Sequence, residues 1–312
     1  MLSLDRAASA LAVHSLDRFA IAVPDLAKAS RFYSDFGIGV EEDGNRLALR
    51  CAAGVPCGFI LESGRKQLHH LSFGIYEADA ASFASRLQQM GIARLDPPAG
   101  LPGDGLWLRD PEGNLVELRV TEKTSPDTKD HVSFVSSAPG SAGAPRRATT
   151  PKATPRRLSH VLLFARDVMA QVRFYGEILG LHLTDHCGDV IAFLHAPHGS
   201  DHHLLAFAKS GGPGFHHSSW VVSSIDEIGL GAMQMAQAGF SAGWGLGRHA
   251  IGSNYFHYVR DPWGSWSEYS CDIDYVPKGT RWPTQDYPLE DAVYVWGPAM
   301  PEDFIVNHEL AA

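Results

Sequence analysis

His160, His217 and Glu268 offer two imidazoles and one carboxylate from three separate predicted strands. That donor set suits a divalent first-row metal and leaves coordination positions open. Taken singly, each has an ordinary reading. A histidine at a strand start is more often a hydrogen-bonded structural residue than a ligand. Of the adjacent His216 and His217, strand geometry turns only one ring inward and sends the other to the surface. What raises the three above that reading is their occurrence at corresponding positions of a repeated strand pattern. The sixteen histidines of the chain, crowded between His160 and His257, point the same way, because histidine is the commonest metal ligand.

Glu268 sits in the densest stretch, GRHAIGSNYFHYVRDPWGSWSEY at 247–269. Tyr255 to Arg260 alternates as a half-buried strand does. Asp-Pro-Trp-Gly at 261–264 is a turn in which Pro262 presets φ and Gly264 permits φ > 0. Trp266, Glu268 and Ser270 then share one face of the returning strand. The pattern is a hairpin that brings Glu268 beside Tyr258. A charged carboxylate between Trp266 and Tyr269 is costly unless it is paired or ligates a cation.

The elements that position these residues occur twice. LDRFAIAVPDL at 16–26, followed by a helix over 27–36 that stops at Gly37, has the plan of LSHVLLFARDV at 158–168 with AQVRFYGEILG at 170–180. QLHHLSF at 67–73 matches GFHHSSW at 214–220, and RDPEGNLVEL at 109–118 matches RDPWGSWSEY at 260–269. Order is kept and only loop lengths differ, so the chain is an internal duplication forming two homologous domains. Each copy reads strand–helix–strands twice over. In the second, Ser224 opens a helix that runs to about Ala238 with Gly239 as its stop. The expected division is 1–122, a linker at 123–157, 158–275, and a tail at 276–312. The linker turns to Ser, Ala, Pro, Gly, Thr and Arg, and its Arg146, Arg147, Lys152, Arg156 and Arg157 read as a solvated, partly mobile segment. The aromatic tail is expected to pack on the second domain or a neighbouring subunit.

With 312 residues the chain can bury two full cores. A net charge of −9 argues against nucleic acid or anionic lipid as a partner. No apolar run is long enough to span a bilayer, and Met1–Leu11 makes a poor signal peptide. Cys51, Cys57, Cys187 and Cys271 lack CxxC spacing and read as reduced thiols of a cytoplasmic enzyme.

The sequence resembles the type I extradiol ring-cleaving dioxygenases of the vicinal oxygen chelate superfamily, roughly from Leu16 to Tyr275. The likeness is most specific in LSHVLLFARD at 158–167, HHLLAFA at 202–208, GFHHSSW, GRH at 247–249, and Tyr258 ten residues before Glu268. It implies an α+β fold in which each domain is a pair of βαβββ modules forming an open β-barrel, with metal in the C-terminal barrel alone. It further implies His160, His217 and Glu268 as ligands of Fe(II), with Mn(II) the occasional substitute. His203 would be the acid/base histidine, and His249 and Tyr258 would contact substrate and oxygen. The first copy has Arg18 where the second has His160, with His70 and Glu117 in place of His217 and Glu268. Since a guanidinium cannot ligate a cation, that copy is expected to be metal-free, with Arg18 pairing to Glu117 in the old site.

The implied reaction opens a catechol with O2 to a muconic semialdehyde-type product, as in aromatic hydrocarbon catabolism, in a homo-oligomer (dimer or tetramer). Relatives that take ring-acid substrates carry arginines before GRH and in the tail. Here Trp244 stands before GRH and no arginine follows Arg281. Trp244, Phe256, Trp282 and Trp296 therefore favour an apolar ring substituent, with Arg248 retained in the substrate set. Two other readings stay on the table. A glyoxalase- or isomerase-type enzyme of the same fold usually has four protein ligands, and a non-catalytic binding protein of the bleomycin-resistance type lacks the three ligands.

Overall fold

Strand-period alternation and paired Phe-Tyr residues at helical spacing resolve, among the described residues, into two large mixed sheets, one two-stranded sheet and four flanking α-helices. The computed structural model describes residues 11–310 apart from 53, 55, 102 and 135. Except for Leu11, the segment read as a poor signal peptide lies outside the described residues. The first half runs β1 (Ser15–Val23), α1 (Leu26–Asp35), β2 (Gly39–Asp43), β3 (Arg46–Arg50), β4 (Pro56–Glu62), β5 (Gln67–Ile75), α2 (Ala80–Gln89), β6 (Leu106–Arg109) and β7 (Leu115–Val120). The second opens with β8 (Arg157–Ala165), α3 (Val168–Leu179), β9 (His182–Cys187), β10 (Ile191–His195), β11 (Ser200–Asp201) and β12 (Leu205–Lys209). It continues with β13 (Gly214–Val221), α4 (Ile225–Gln237), β14 (Gly243–Arg248), β15 (Tyr255–Arg260), β16 (Trp266–Cys271) and β17 (Tyr275–Val276).

The sheet orders are the same. β2-β3-β4-β1-β5-β7-β6 in the first half matches β9-β10-β12-β8-β13-β16-β15 in the second, which adds β14 at its edge. Neither order returns to its starting strand, so both sheets are open, as the α+β vicinal oxygen chelate fold requires. The local signals explain the element ends. Asp25 and Asp167 cap α1 and α3 by accepting from the backbone N–H of Lys28 and Ala170. Ser224 caps α4 while Glu227 reaches back to the N–H of Ser223, a reciprocal cap. In both copies the turn before the last strand is tied by an aspartate. Asp110 Oδ1 accepts from the N–H of Glu112 and Asn114, and Asp261 Oδ1 from those of Trp263 and Ser265. Gly113 (φ 87°) and Gly264 (φ 93°) supply the left-handed residue each turn needs.

Two bulges recur at matching places. Where β1 pairs β5, Asp17 and His69 are the extra residues; where β8 pairs β13, they are Ser159 and His216. This corrects the placement of His216 at the surface. The bulge breaks the strict alternation, so His216 and His217 are both buried.

One core runs through both halves. Phe19 of β1 stacks on Phe215 of β13 with centroids 5.3 Å apart, and Phe36 stacks on Tyr269 at 3.8 Å. Tyr269 donates its hydroxyl to Phe36 O (2.8 Å). Most of the linker is exposed, but Ala153 is buried and Pro155 O accepts from Ala52 N (3.1 Å). Arg157 is a second correction. It belongs to β8, not to a solvated linker, and pairs with Asp130 and with Asp201 (2.7 Å). The tail lies against the second half, where Val295 N donates to Arg248 O (2.8 Å) and Phe304 is buried among aromatic rings. Near its end, Glu309 pairs with Lys66 of the first half at 2.5 Å.

Candidate metal centre

β8, β13 and β16 lie side by side, and their central residues meet. β13 pairs β8 with Ser219 opposite His160, and pairs β16 in parallel with Ser219 opposite Glu268. The ligand atoms of His160, His217 and Glu268 fall within 4.8 Å of one another, and all three residues are buried. Glu268 Oε2 is 3.4 Å from His160 Nε2 and 3.9 Å from His217 Nε2. This is the only such group of three among the described residues.

The surrounding hydrogen bonds fix which nitrogens carry protons. Ser159 Oγ donates to Asp201 Oδ2 (2.6 Å), so it accepts from His160 Nδ1 (3.2 Å), which leaves the lone pair of His160 on Nε2. Phe304 O can only accept, so His216 donates from Nε2 (2.8 Å) and accepts at Nδ1 from His217 Nδ1 (2.7 Å). The lone pair of His217 therefore also sits on Nε2. Burial pushes the pKa of His217 well below its ordinary value, and His216 adds to that; His216 itself falls to about 4, chiefly through burial. Burial would raise the pKa of Glu268, but contacts with His160 and His249 outweigh it and hold the carboxyl below its usual range. Its Oε1 accepts from Asn254 Nδ2 (3.0 Å).

Glu268 Oε2 and His217 Nε2 are buried and lack a hydrogen-bond partner among the described residues. Two such acceptors facing each other without a proton between them are costly to bury. A cation held by all three residues removes that cost, so the donor set fits a divalent first-row metal.

Tyr258 stands opposite Glu268 in the β15–β16 hairpin, as the turn signals required. His249 donates from Nδ1 to Val293 O and so accepts at Nε2 from the Tyr258 hydroxyl (3.0 Å). Burial, and then the neighbouring Glu268, push the Tyr258 phenol well above 10, so it remains a donor. His203 lies in the turn between β11 and β12 rather than within a strand, with its ring centroid 4.0 Å from that of His160. Burial, reinforced by His160 and His202, pushes its pKa well down and keeps the imidazole neutral.

A cavity opens over these groups. His160, His203, His217, His249 and Tyr258 form its polar floor, and Leu162, Ile191, Phe193, Ile251, Val293 and Met300 are among its walls. Trp244 and Phe256 stand behind that floor: Trp244 stacks on Tyr258 at 5.5 Å and Phe256 on His249 at 4.1 Å. Arg248 turns away, bonding Tyr255 Oη (2.5 Å) and Asp272 (3.4 Å). The residues that fix the tautomers, namely Ser159, Asp201, His216 and the Phe304 carbonyl, went unmarked in the sequence. So did Asn254. Only the bulge neighbours Ser159 and His216 were adjacent to a marked residue.

In the first copy, Arg18 Nε pairs with Asp17 (2.7 Å), not with Glu117 as expected. The Asp17 bulge offers a nearer carboxylate, shared with Arg119 at 2.9 Å, while Glu117 Oε2 accepts from Ser72 Oγ (2.5 Å).

The Glyoxalase/Bleomycin resistance protein/Dioxygenase superfamily signature matches residues 15–118 and 157–269. Metapyrocatechase 2 of Cupriavidus necator is 47% identical over 298 residues, covering 96% of this chain and 93% of that protein. In fold, the chain is similar to the Mn(II)-bound glyoxalase from Novosphingobium aromaticivorans (TM-score 0.74, 22% identity, 94% of both chains). It is also similar to an extradiol ring-cleaving dioxygenase from B. fuscum (TM-score 0.75, 20% identity, 95% of this chain and 82% of that one). The chain belongs to the Glyoxalase/Bleomycin resistance protein/Dioxygenase superfamily and, within it, to the extradiol ring-cleaving dioxygenases.

Proposed function

We propose that this enzyme opens a catechol next to its two hydroxyls, using O2, with Fe(II) held by His160, His217 and Glu268. The carrying observation is the pair of buried, unpartnered acceptors, Glu268 Oε2 and His217 Nε2, with His217 on the floor of a largely apolar cavity. Fe(II) bound there supplies chelation of both catechol oxygens and a path for electrons from the ring to O2. His203, neutral and lining the cavity, would take up a proton from a catechol hydroxyl and return one later in the ring opening. Tyr258 stays protonated and, with His249, presents a fixed hydrogen-bonding pair to substrate and oxygen. The apolar walls exclude water and favour a ring that carries an apolar substituent. The product is a muconic semialdehyde-type acid.

The metal-binding role falls to the second domain, 158–275 with Arg157 added as the start of β8, and 1–122 serve as a metal-free homologous domain. The linker joins them, and Ala292, Val293, Met300 and Phe304 of the tail line the cavity. We place the enzyme in the cytoplasm as a homo-oligomer, supported by the exposed tail residues Leu289, Val295 and Ile305. Among the described residues, no helix is long and apolar enough to cross a membrane.

The test is anaerobic reconstitution with Fe(II) or Mn(II), followed by oxygen uptake and the appearance of a yellow ring-fission product from a panel of catechols. Uptake with Fe(II) is expected. Metal binding with no oxygen uptake on any catechol would overturn the reading in favour of a glyoxalase- or isomerase-type reaction.

A further inference from the structure

Two histidine pairs beside the cavity are built alike but anchored differently. Adjacent rings meet through their Nδ1 atoms, at 2.7 Å in His216–His217 and 3.0 Å in His202–His203. The outer ring of the first pair ends on a neutral carbonyl, Phe304 O. The outer ring of the second ends on a carboxylate, with His202 Nε2 at 2.7 Å from Asp185 Oδ2. Asp185 is only 2% exposed. Its Oδ2 also accepts from Trp282 Nε1 (3.1 Å), and its Oδ1 from the backbone N–H of Gln285 (2.8 Å).

Three N–H groups therefore converge on one buried side chain, and a carboxylate, which only accepts, satisfies all of them. A singly protonated His202 carries its proton on Nε2, facing Asp185, and offers the Nδ1 lone pair. His203 must then donate from Nδ1, so its own lone pair is on Nε2, the nitrogen left for the cavity that His203 lines. An asparagine at 185 would turn its amide N–H against at least one of the three donors.

We propose that Asp185 and His202 are positioning residues of the ring-opening reaction, fixing His203 in the tautomer whose Nε2 lone pair faces the bound catechol. The proposal rests on His203 being the acid/base group. The difference in anchors matches the difference in task. A carbonyl suffices to orient His217 toward a cation. The Asp185 carboxylate, by contrast, also favours the positive charge that His203 carries after taking up a proton. A buried aspartate that holds an imidazole in one tautomer does the same in hydrolytic triads.

The direct test reads the wild-type protein. Side-chain 15N NMR of the full chain labelled in histidine, both metal-free and loaded with Zn(II), reports the tautomer of each ring, and His203→Gln identifies the His203 signals. His203 protonated on Nδ1 alone is expected. A neutral His203 protonated on Nε2 would overturn the proposal.

Kinetics give a second arm. In Fe(II)-loaded His202→Phe and Asp185→Asn, kcat should fall about 10- to 100-fold while KM for the catechol stays within about twofold and iron content is unchanged. Asp185→Glu should recover part of the loss. Unchanged kcat in a folded variant, or loss of iron along with activity, would overturn it; if neither variant folds, the NMR result decides. Full activity of His203→Gln would overturn the proposal through its premise, and that case is recognisable because the wild-type tautomer spectrum would still be as expected.

Discussion

The two copies share a sheet order, two bulges and a pair of touching histidines, yet among the described residues only the second gathers three ligands. His69 and His70 meet Nδ1 to Nδ1 at 2.7 Å, as His216 and His217 do. His70 faces Trp107 with centroids 5.2 Å apart, and His217 faces Tyr258 at the same 5.2 Å. Trp107 stands opposite Glu117 just as Tyr258 stands opposite Glu268. The backbone alone therefore does not make the centre. Two side-chain differences do, Arg18 for His160 and Trp107 for Tyr258, together with a difference in contact. The Ser72 hydroxyl occupies the Glu117 oxygen a metal would need, whereas its counterpart Ser219 leaves Glu268 Oε2 free.

The largest expected effect follows from that contrast. His217→Ala or Glu268→Ala should lose the metal and with it all measurable turnover, whereas His70→Ala or Glu117→Ala should leave metal content unchanged. Metal analysis of the purified proteins decides the matter, and two tightly held ions per wild-type chain would break the comparison. A gain-of-site variant sharpens it. Arg18→His alone should still bind one ion, because Glu117 remains tied to Ser72 and Trp107 still covers His70. It should lower stability by roughly 1–3 kcal/mol by stripping Asp17 of one of its two arginines.

Next in size is His203, which has no counterpart in the first copy's cluster. His203→Gln should keep its iron and lose about 10²- to 10⁴-fold in turnover, the usual worth of a positioned acid or base. If it loses iron instead, the residue supports His160 by packing. The acid role would then pass to His249, and His249→Gln would test it.

The cavity comes third: apolar walls from β8, β10 and the tail enclose the second site. Catechols with alkyl or aryl substituents should exceed homoprotocatechuate in kcat/KM by about tenfold, which is about 1.4 kcal/mol. A tenfold preference for the acid would mean that Arg248, now tied to Tyr255 and Asp272, is released to pair with it.

These features were unequally legible in the sequence. The hairpin and its Tyr258–Glu268 pairing could be read because Pro262, Gly264 and the alternating aromatics are local signals. The duplication fixed the sheet plan because it compares the chain with itself. His216 was misplaced because a bulge is a property of register, set by the partner strand and not by the alternation of its own strand. Arg18 was misassigned for the same reason, as the bulge at Asp17 brought a carboxylate closer than Glu117. The tail's share of the cavity wall and the anchors at Asp201 and Phe304 come from a two-residue strand and an irregular tail, where no periodicity says what touches what. Trp244 and Phe256 were placed against substrate because aromatic residues near a site can serve either as wall or as backing, and spacing does not separate the two.

The smallest expected effect tests whether His70 is a true relic of His217. Burial lowers the pKa of His70 from 6.5 to about 3, with His69 and the Arg18 and Arg46 charges adding to it. Because the folded-state value lies below the unfolded one, the unfolded chain takes up the proton first as pH falls. The stabilisation from keeping His70 neutral is therefore intact above about pH 6.5 and is lost progressively as pH falls from there toward 3. Between pH 7.5 and 5.5 that loss is about 1.4 kcal/mol, one pKa unit's worth. Other buried histidines respond too, so the useful quantity is a difference. His70→Phe removes this proton site, and the gap in Tm between wild type and variant should shift in the variant's favour by about 3 °C over that interval. If the gap stays constant, His70 is not held neutral by its surroundings, and its likeness to His217 ends at the backbone.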